Sequence, residues 1–195
     1  MKPILVKPLI VKNAALIERT AIRNCHVTGL HSFILNETPK IRLYIADENC
    51  ALRYPFDPAN PYLTIHRHKH NDLFVRLTDT PIIHHLYKKT PAGITNDNTM
   101  SFNLNSYSRL DDKGIGMPLG NDYLDYIESR ESVFLHHSAL HTVNIIGNGK
   151  CAWLVIEFGI DESFVALSYG GEKVTDDCYA PFYNPVEYIK EYLEL

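Results

Sequence analysis

Residues 64–72 read T-I-H-R-H-K-H-N-D, with a histidine at every second position from His66 to His70. Side chains two residues apart lie on the same face of a β-strand, whereas in a helix three residues at this spacing scatter through roughly 200°. The residues on either side are aromatic, β-branched or aliphatic, which favours a strand. The stretch therefore predicts a strand that presents a row of imidazoles on one face.

Short runs with the same strand character recur along the chain, separated by turn residues such as Pro, Gly, Asn and Asp. The predicted strands are Leu30–Leu35, Lys40–Ala46, Tyr62–His70, Leu73–Thr78, Ile82–Lys88, Met100–Ser106, Tyr123–Ile127, Ser132–His136, His141–Ile146, Cys151–Phe158 and Phe164–Tyr169. Many short strands at regular spacing are typical of an antiparallel sandwich or barrel. The pattern predicts an all-β fold.

Helical periodicity is confined to regions near the two ends of the chain. Asn13 is placed to cap a helix, and Asn184 with Pro185 is placed to cap and begin another. The apolar stripes of these helices are Ala14, Ile17, Ala21 and Ile22 for the first and Val186, Ile189 and Leu193 for the second. We therefore expect one short helix near each terminus.

Length and composition limit the classes of protein to consider. The 195 residues suit one domain, 1–195, with a barrel core at roughly 30–170. A net charge of −4 provides no basic surface, so we expect no nucleic-acid partner. No apolar run approaches the roughly 20 residues that span a bilayer, and we expect no membrane partner and no signal peptide. The four cysteines are far apart, which favours reduced thiols and a cytoplasmic protein.

A second histidine-rich segment, V-F-L-H-H-S-A-L-H-T-V-N-I-I-G-N at 133–148, lies far from the first. Two imidazoles of an H-x-H pair sit on one face of a strand about 7 Å apart, so both can reach one ion. A third ligand must then come from a neighbouring strand. Imidazole ligands suit Fe, Zn, Ni and Cu, and an added carboxylate extends the choice to Mn.

These two segments resemble the cupin superfamily. His66 and His68 match the H-x-H of its first motif, G-x5-H-x-H-x3,4-E-x6-G, and Asp72 stands where the family prefers Glu. A four-residue spacer would place Leu73 at that position instead. His141 matches the histidine of the second motif, G-x5-P-x-G-x2-H-x3-N, whose Pro, Gly and Asn positions hold other residues here.

The resemblance implies an antiparallel jelly-roll barrel, the double-stranded β-helix of cupins. It also implies a metal site formed by His66, His68 and His141, with Asp72 as the acidic ligand. The cofactor would be a divalent metal, with Fe(II) favoured and Mn, Ni or Zn as alternatives. Cupins are often dimers, so the resemblance implies a homodimer.

Other titratable residues have weaker signals. His70 is predicted at the pocket rim or in solvent, and it would be a ligand only if the register shifts by two. His84 and His85 are adjacent, so one faces inward and one outward, and the same holds for His136 and His137. Arg76 shares a strand face with Asp72, where it would bind an anionic substrate if it points inward, but a position at the barrel end or in solvent is favoured. Glu157 is a weaker candidate for an interior acid.

The first functional hypothesis is a metal-dependent cupin enzyme that acts on a small organic substrate, with non-haem Fe(II) dioxygenase chemistry. One alternative is a non-catalytic cupin that binds a small molecule or a metal. Another is a metal-free, sugar isomerase-like cupin that uses a histidine as a general base. The chain contains no G-x-S-x-G, P-loop or H-E-x-x-H motif, so hydrolase, nucleotide and zincin functions lack their usual markers.

Overall fold

Short strands make up most of the secondary structure in the computed structural model, which describes residues 6–24, 29–53, 68, 70–87, 123–128, 132–137, 140–159 and 179–195. The strands are β1 (Ile22–Asn24), β2 (Leu30–Glu37), β3 (Lys40–Ala46), β4 (Asn71–Arg76), β5 (Ile82–Tyr87), β6 (Tyr123–Glu128), β7 (Ser132–Leu135), β8 (Leu140–Ile145), β9 (Cys151–Phe158) and β10 (Tyr179–Pro181). The helices are α1 (Lys7–Lys12), α2 (Ala14–Thr20) and α3 (Pro185–Leu193). The prediction of a mostly β fold with a short helix near each terminus is confirmed.

The strands form two antiparallel sheets. Seven strands follow the order β10-β1-β2-β3-β9-β4-β7, and three follow the order β6-β5-β8. The observed bounds of β3 and β9 are those predicted from runs of strand-forming residues. Three-residue strands β1 and β10 were not predicted, because so short a segment carries little periodicity. The predicted strands at 100–106 and 164–169 lie outside the described residues, as does most of the one at 62–70.

One face of the seven-stranded sheet packs against the helices. Its buried strand residues are Phe33, Leu35, Leu43, Ile45 and Ala152. The helices contribute Ile10, Ile17, Val186, Ile189 and Leu193 to the same cluster. Burial of one such aliphatic or aromatic side chain stabilises the fold by about 1.5–3 kcal/mol, so this layer is a main source of stability. We call it the helix-side core.

The opposite face of the large sheet looks toward the three-stranded sheet. The apolar residues shared by the two sheets include Phe74, Trp153 and Val155 from the large sheet and Ile82, Val143 and Ile145 from the small one. We call the space between the sheets the inner core. Because residues two apart share a face, Asp72 lies on the inner side of β4 together with Phe74.

The two predicted helix caps have a different structure from the one expected. The side-chain amide of Asn13 donates to the carbonyl of Leu9 in the preceding helix (3.1 Å) and does not cap α2. Asn184 has a left-handed backbone (φ 51°) and makes no side-chain capping bond to α3. Pro185 begins α3 as predicted, and Val186, Ile189 and Leu193 are buried. The apolar stripe therefore identified this helix correctly, while the capping mechanism was wrong.

Two further observations concern the helices and the cysteines. None of the helices in the described ranges has the length and apolar character needed to cross a membrane. Cys50 and Cys151 are buried free thiols, as expected for reduced cysteines. Burial raises the pKa of Cys50 to about 11 and that of Cys151 to about 12. Cys25 and Cys178 lie outside the described residues.

Candidate metal centre

The site is organised around Asp72 near the start of β4. Asp72 pairs across the sheet with Leu135 of β7 and with Glu157 of β9. Its side chain is buried in the inner core and is only 1% exposed. His68 and His70 immediately precede β4, and their side chains are partly exposed. The polar groups therefore lie at one end of the inner core, where it meets solvent.

Two imidazoles converge on the Asp72 carboxylate. His70 Nδ1 lies 2.8 Å from Asp72 Oδ1, and His68 Nδ1 contacts Asp72 Oδ2. The ring centroids of the two histidines are 5.2 Å apart. Burial raises the pKa of the Asp72 carboxyl, but hydrogen bonds from His68 and His70 and the positive charge of these rings outweigh burial and hold the pKa below its ordinary value. Asp72 is therefore an ionised acceptor between two imidazole donors.

The same three side chains fit a metal ion. One ligand atom from each of His68, His70 and Asp72 lies within 4.8 Å of the other two. Two imidazoles and one carboxylate form a donor set that suits divalent transition metals, including non-haem Fe(II). Within the described ranges, no other group of three His, Cys, Asp or Glu side chains comes this close. This group could hold a metal ion.

His141, the predicted ligand from a distant strand, lies beside this group. It is 2% exposed on β8, and its ring centroid is 5.0 Å from that of His68 in an edge-to-face arrangement. Of the four predicted ligands, the structure thus places His68 and Asp72 in the metal-fitting group, while His141 packs against His68 and is not a member of that group. The fourth, His66, lies outside the described residues.

His70 differs from its predicted place at the pocket rim or in solvent. Its ring contacts Asp72 and belongs to the metal-fitting group. This position corresponds to the register shifted by two, in which His68 and His70 form the H-x-H pair. His68, His70 and Asp72 occupy alternate positions, as ideal strand alternation requires for side chains on one face. The assignment of His66 and His68 to the H-x-H motif, and not alternation, had set His70 aside.

The structure also decides which residue can serve as the acid. Asp72 faces the inner core, whereas Leu73 lies on the opposite face of β4, where it pairs with Phe134 and Ile156. A one-residue change in spacing reverses the face of a strand residue. Leu73 is therefore on the wrong side of the sheet for this site.

Glu157 is a second buried carboxylate, and sequence analysis ranked it only as a weaker candidate. It is 7% exposed and lies directly opposite Asp72 in the β4–β9 register. Arg42 Nε contacts Glu157 Oε1, Lys40 Nζ lies 3.4 Å from Oε2, and His70 Nε2 also lies 3.4 Å from Oε2. No motif signals this cluster, because it depends on the register of three strands that are distant in sequence.

His84 and the pair His136 and His137 occupy two different places. His84, on β5, is fully buried and packs edge-to-face on Phe74, with 4.6 Å between ring centroids. Its centroid is 6.4 Å from that of His141, so it forms the inner wall of the site. His136 and His137 follow β7 with their rings 4.0 Å apart, and the backbone N–H of His137 donates to the side chain of Asn71 (3.0 Å).

Comparisons of this chain with protein families, with curated proteins and with solved structures returned no significant match. The candidate site therefore depends on the residues and geometry described above.

Proposed function

We propose that this chain is a metal-dependent enzyme of the cupin type that acts on a small organic molecule, with non-haem Fe(II) dioxygenase chemistry. The observation that carries the proposal is the convergence of His68, His70 and Asp72 at one end of the inner core. Two histidines and one carboxylate are the donors that non-haem Fe(II) oxygenases use. Mn, Ni and Zn are alternative ions.

The strand order supports the jelly-roll part of the proposal. From β4 onward, the chain passes to the small sheet for β5 and β6, returns to the large sheet for β7, and alternates again for β8 and β9. Jelly rolls, which consist of two Greek keys in two sheets, have this kind of alternation. Closure of the sheets into a cupin barrel is part of the proposal, and the homodimer and the cytoplasmic location stay predictions.

Each part of the site has a proposed role. His68, His70 and Asp72 hold the ion, and His141 packs edge-to-face against the ring of His68. His66 stays a predicted ligand. Bound Fe(II) would supply coordination positions for an organic substrate and O2. Phe74 and Leu135 provide an apolar wall that excludes water from the inner end of the site.

The charges around the site favour an anionic substrate. Lys40 and Arg42 balance the two carboxylates of Asp72 and Glu157. A divalent ion with neutral imidazole ligands would therefore leave the site with a net positive charge. Small organic acids are accordingly the first class of substrate to test.

Metal analysis of purified protein tests the proposal. After reconstitution with Fe(II) under anaerobic conditions, we expect one ion per chain in the wild type. His70→Ala and Asp72→Asn should each bind Fe(II) at least tenfold more weakly, because each removes a charged or imidazole donor. His136→Ala is the matched control, since His136 is exposed and outside the ligand group, and it should bind like the wild type.

Oxygen uptake with a panel of organic acids then tests the reaction class. Wild-type protein that contains well below one ion per chain after reconstitution, or variants that bind Fe(II) as tightly as the wild type, would overturn the metal proposal.

A metal-free cupin is the second candidate, and one observation favours it. Both oxygens of Asp72 already contact imidazole nitrogens, and Glu157 is surrounded by Lys40, Arg42 and His70. The two buried carboxylates therefore have partners within the chain without an ion. In that case His68 or His70, paired with a carboxylate, would act as a general base, or the pocket would only bind a ligand. Wild-type protein without stoichiometric metal would support this candidate.

A further inference from the structure

His70 lies between two buried carboxylates that come from different strands. Its Nδ1 is 2.8 Å from Asp72 Oδ1 on β4, and its Nε2 is 3.4 Å from Glu157 Oε2 on β9. Each nitrogen of one ring therefore faces a different carboxylate. The ring therefore lies within ion-pair distance of a carboxylate on each side.

The placement of Glu157 is unfavourable unless other groups compensate for it. Residues directly opposite on neighbouring strands have Cβ atoms about 4.5–5.5 Å apart, and like charges in such a pair destabilise a sheet. A buried carboxylate also loses its hydration. Lys40 and Arg42 both contact Glu157 from β3, and these two cations offset the cost. The chain thus holds an acid beside the ligand group with dedicated partners.

We propose that Glu157 is a positioning residue that orients His70. In this arrangement Glu157 accepts the Nε2–H of His70, so that Nδ1 faces Asp72 in the metal-free chain and would face the ion when one is bound. A metal-ligating histidine commonly donates its other ring N–H to a carboxylate, which fixes its tautomer and orientation, and loss of such a partner weakens metal affinity by roughly 10–100-fold. The metal readout of this inference rests on the proposed function, whereas the orientation of His70 can be measured without a metal.

The experiment compares the wild type with Glu157→Ala, Glu157→Gln and the control Glu194→Gln. Glu194 pairs with Lys150 and its side chain is 79% exposed, so this control removes one negative charge away from the site. The first readout is Co(II) affinity by spectroscopic titration. The second is the His70 Nε2 proton of the metal-free chain, observed by NMR with histidine labelled with ¹⁵N in the ring.

We expect Glu157→Ala to weaken Co(II) binding by roughly 10–100-fold and to abolish slow exchange of the His70 Nε2 proton. Glu157→Gln keeps the size of the side chain and an acceptor oxygen, so its loss should be smaller but still larger than that of Glu194→Gln. If Glu157→Ala does not fold, as judged by circular dichroism, Glu157→Gln carries the test with the same two readouts.

Two results would overturn the inference. One is that the variants keep wild-type Co(II) affinity and a slowly exchanging His70 Nε2 proton, which would mean that Glu157 contributes to stability alone. The other is that affinity falls while the His70 proton is unchanged, which would mean that Glu157 does not act through His70. Failure of the wild type to bind Co(II) counts against the metal proposal, and the NMR readout then decides the role of Glu157.

Discussion

The two faces of the seven-stranded sheet come from the same alternating strands, yet they bury different chemistry. On the helix side, the fully buried strand residues are apolar, as at Phe33, Leu43 and Ile45. On the inner side, β4 and β9 bury Asp72 and Glu157 at equivalent depth. The small sheet adds His84 and His141 to the inner side.

The two faces therefore contribute different things: the helix side contributes stability, and the inner side holds the polar groups. Burial of apolar side chains stabilises the fold without any requirement for partners, whereas a buried carboxylate destabilises it unless charges or hydrogen bonds compensate. Each inner carboxylate has at least two such partners. We conclude that the helix-side core stabilises the sheet that holds the polar cluster of the inner core in place.

The largest expected effect concerns the helix side. Phe33 is fully buried and packs on Phe182 of the C-terminal segment, with 5.3 Å between ring centroids. Phe33→Ala should lower the free energy of unfolding by about 3–5 kcal/mol, because it leaves a cavity in a packed core. Urea unfolding followed by circular dichroism measures this change.

Phe134→Ala provides the matched control for Phe33→Ala. Phe134 lies on the same face of the sheet but is 52% exposed, so its removal should cost about 1 kcal/mol or less. Equal losses for the two variants would contradict the view that the helices determine which part of this face contributes stability.

The inner side should show strong coupling instead of large single losses. Arg42→Met removes a partner of buried Glu157 and should cost about 1–3 kcal/mol, because a buried acceptor loses its donor. The double variant Arg42→Met with Glu157→Leu should cost less than the sum of the two single variants, with a coupling of about 0.5–3 kcal/mol. Unfolding free energies of the four proteins give this coupling, and strict additivity would show that the pair does not act as a unit.

A smaller effect is expected where α3 joins the large sheet. The Tyr192 hydroxyl donates to the carbonyl of Ala46 (2.8 Å) and accepts the backbone N–H of Cys151 (2.8 Å). Tyr192→Phe should cost about 1–2 kcal/mol, because the N–H loses a partner in a part-buried position. Tyr183→Phe is the control, since Tyr183 is 79% exposed, and a similar loss in both would show that the bridge contributes nothing. Thermal or urea unfolding measures both variants.

The smallest effect is a pH dependence that arises from the inner thiols. Burial raises the pKa of Cys151 from an ordinary 9.0 to about 12. Above pH 9 the unfolded chain therefore loses this proton while the folded chain keeps it, so the contribution of the thiol to stability is present below pH 9 and is lost as the pH rises toward 12.

Replacement of this thiol should remove its part of the pH dependence. Between pH 9 and 10, Cys151→Ala should make the decline of unfolding free energy less steep by about 1 kcal/mol per pH unit. The same comparison between pH 6 and 8 should show parallel curves. Parallel curves in the alkaline range as well would show that the thiol is not shielded from solvent.

Local pattern was sufficient for much of the fold. The bounds of β3 and β9 follow from runs of strand-forming residues that turn residues separate, and the stripe of Val186, Ile189 and Leu193 identified α3. Such patterns can be recognised in the sequence because residues close together in the chain determine which side of a helix or strand is apolar. The left-handed backbone of Asn184 could not be predicted from the sequence, because asparagine at this position is typical of a helix cap with a different backbone conformation.

The site was predictable only in part. Strand parity predicted that His68 and Asp72 share one face, and the resemblance to the cupin motifs predicted His66 and His141 as the further ligands. Only the tertiary structure showed that His70 belongs to one group with His68 and Asp72. It also showed that Glu157 lies opposite Asp72 and that Lys40 and Arg42 contact Glu157. The physical reason is that the register between β3, β9 and β4 is a property of paired strands more than 70 residues apart in sequence, and a one-residue slip of that register would place each of these charges on the other face.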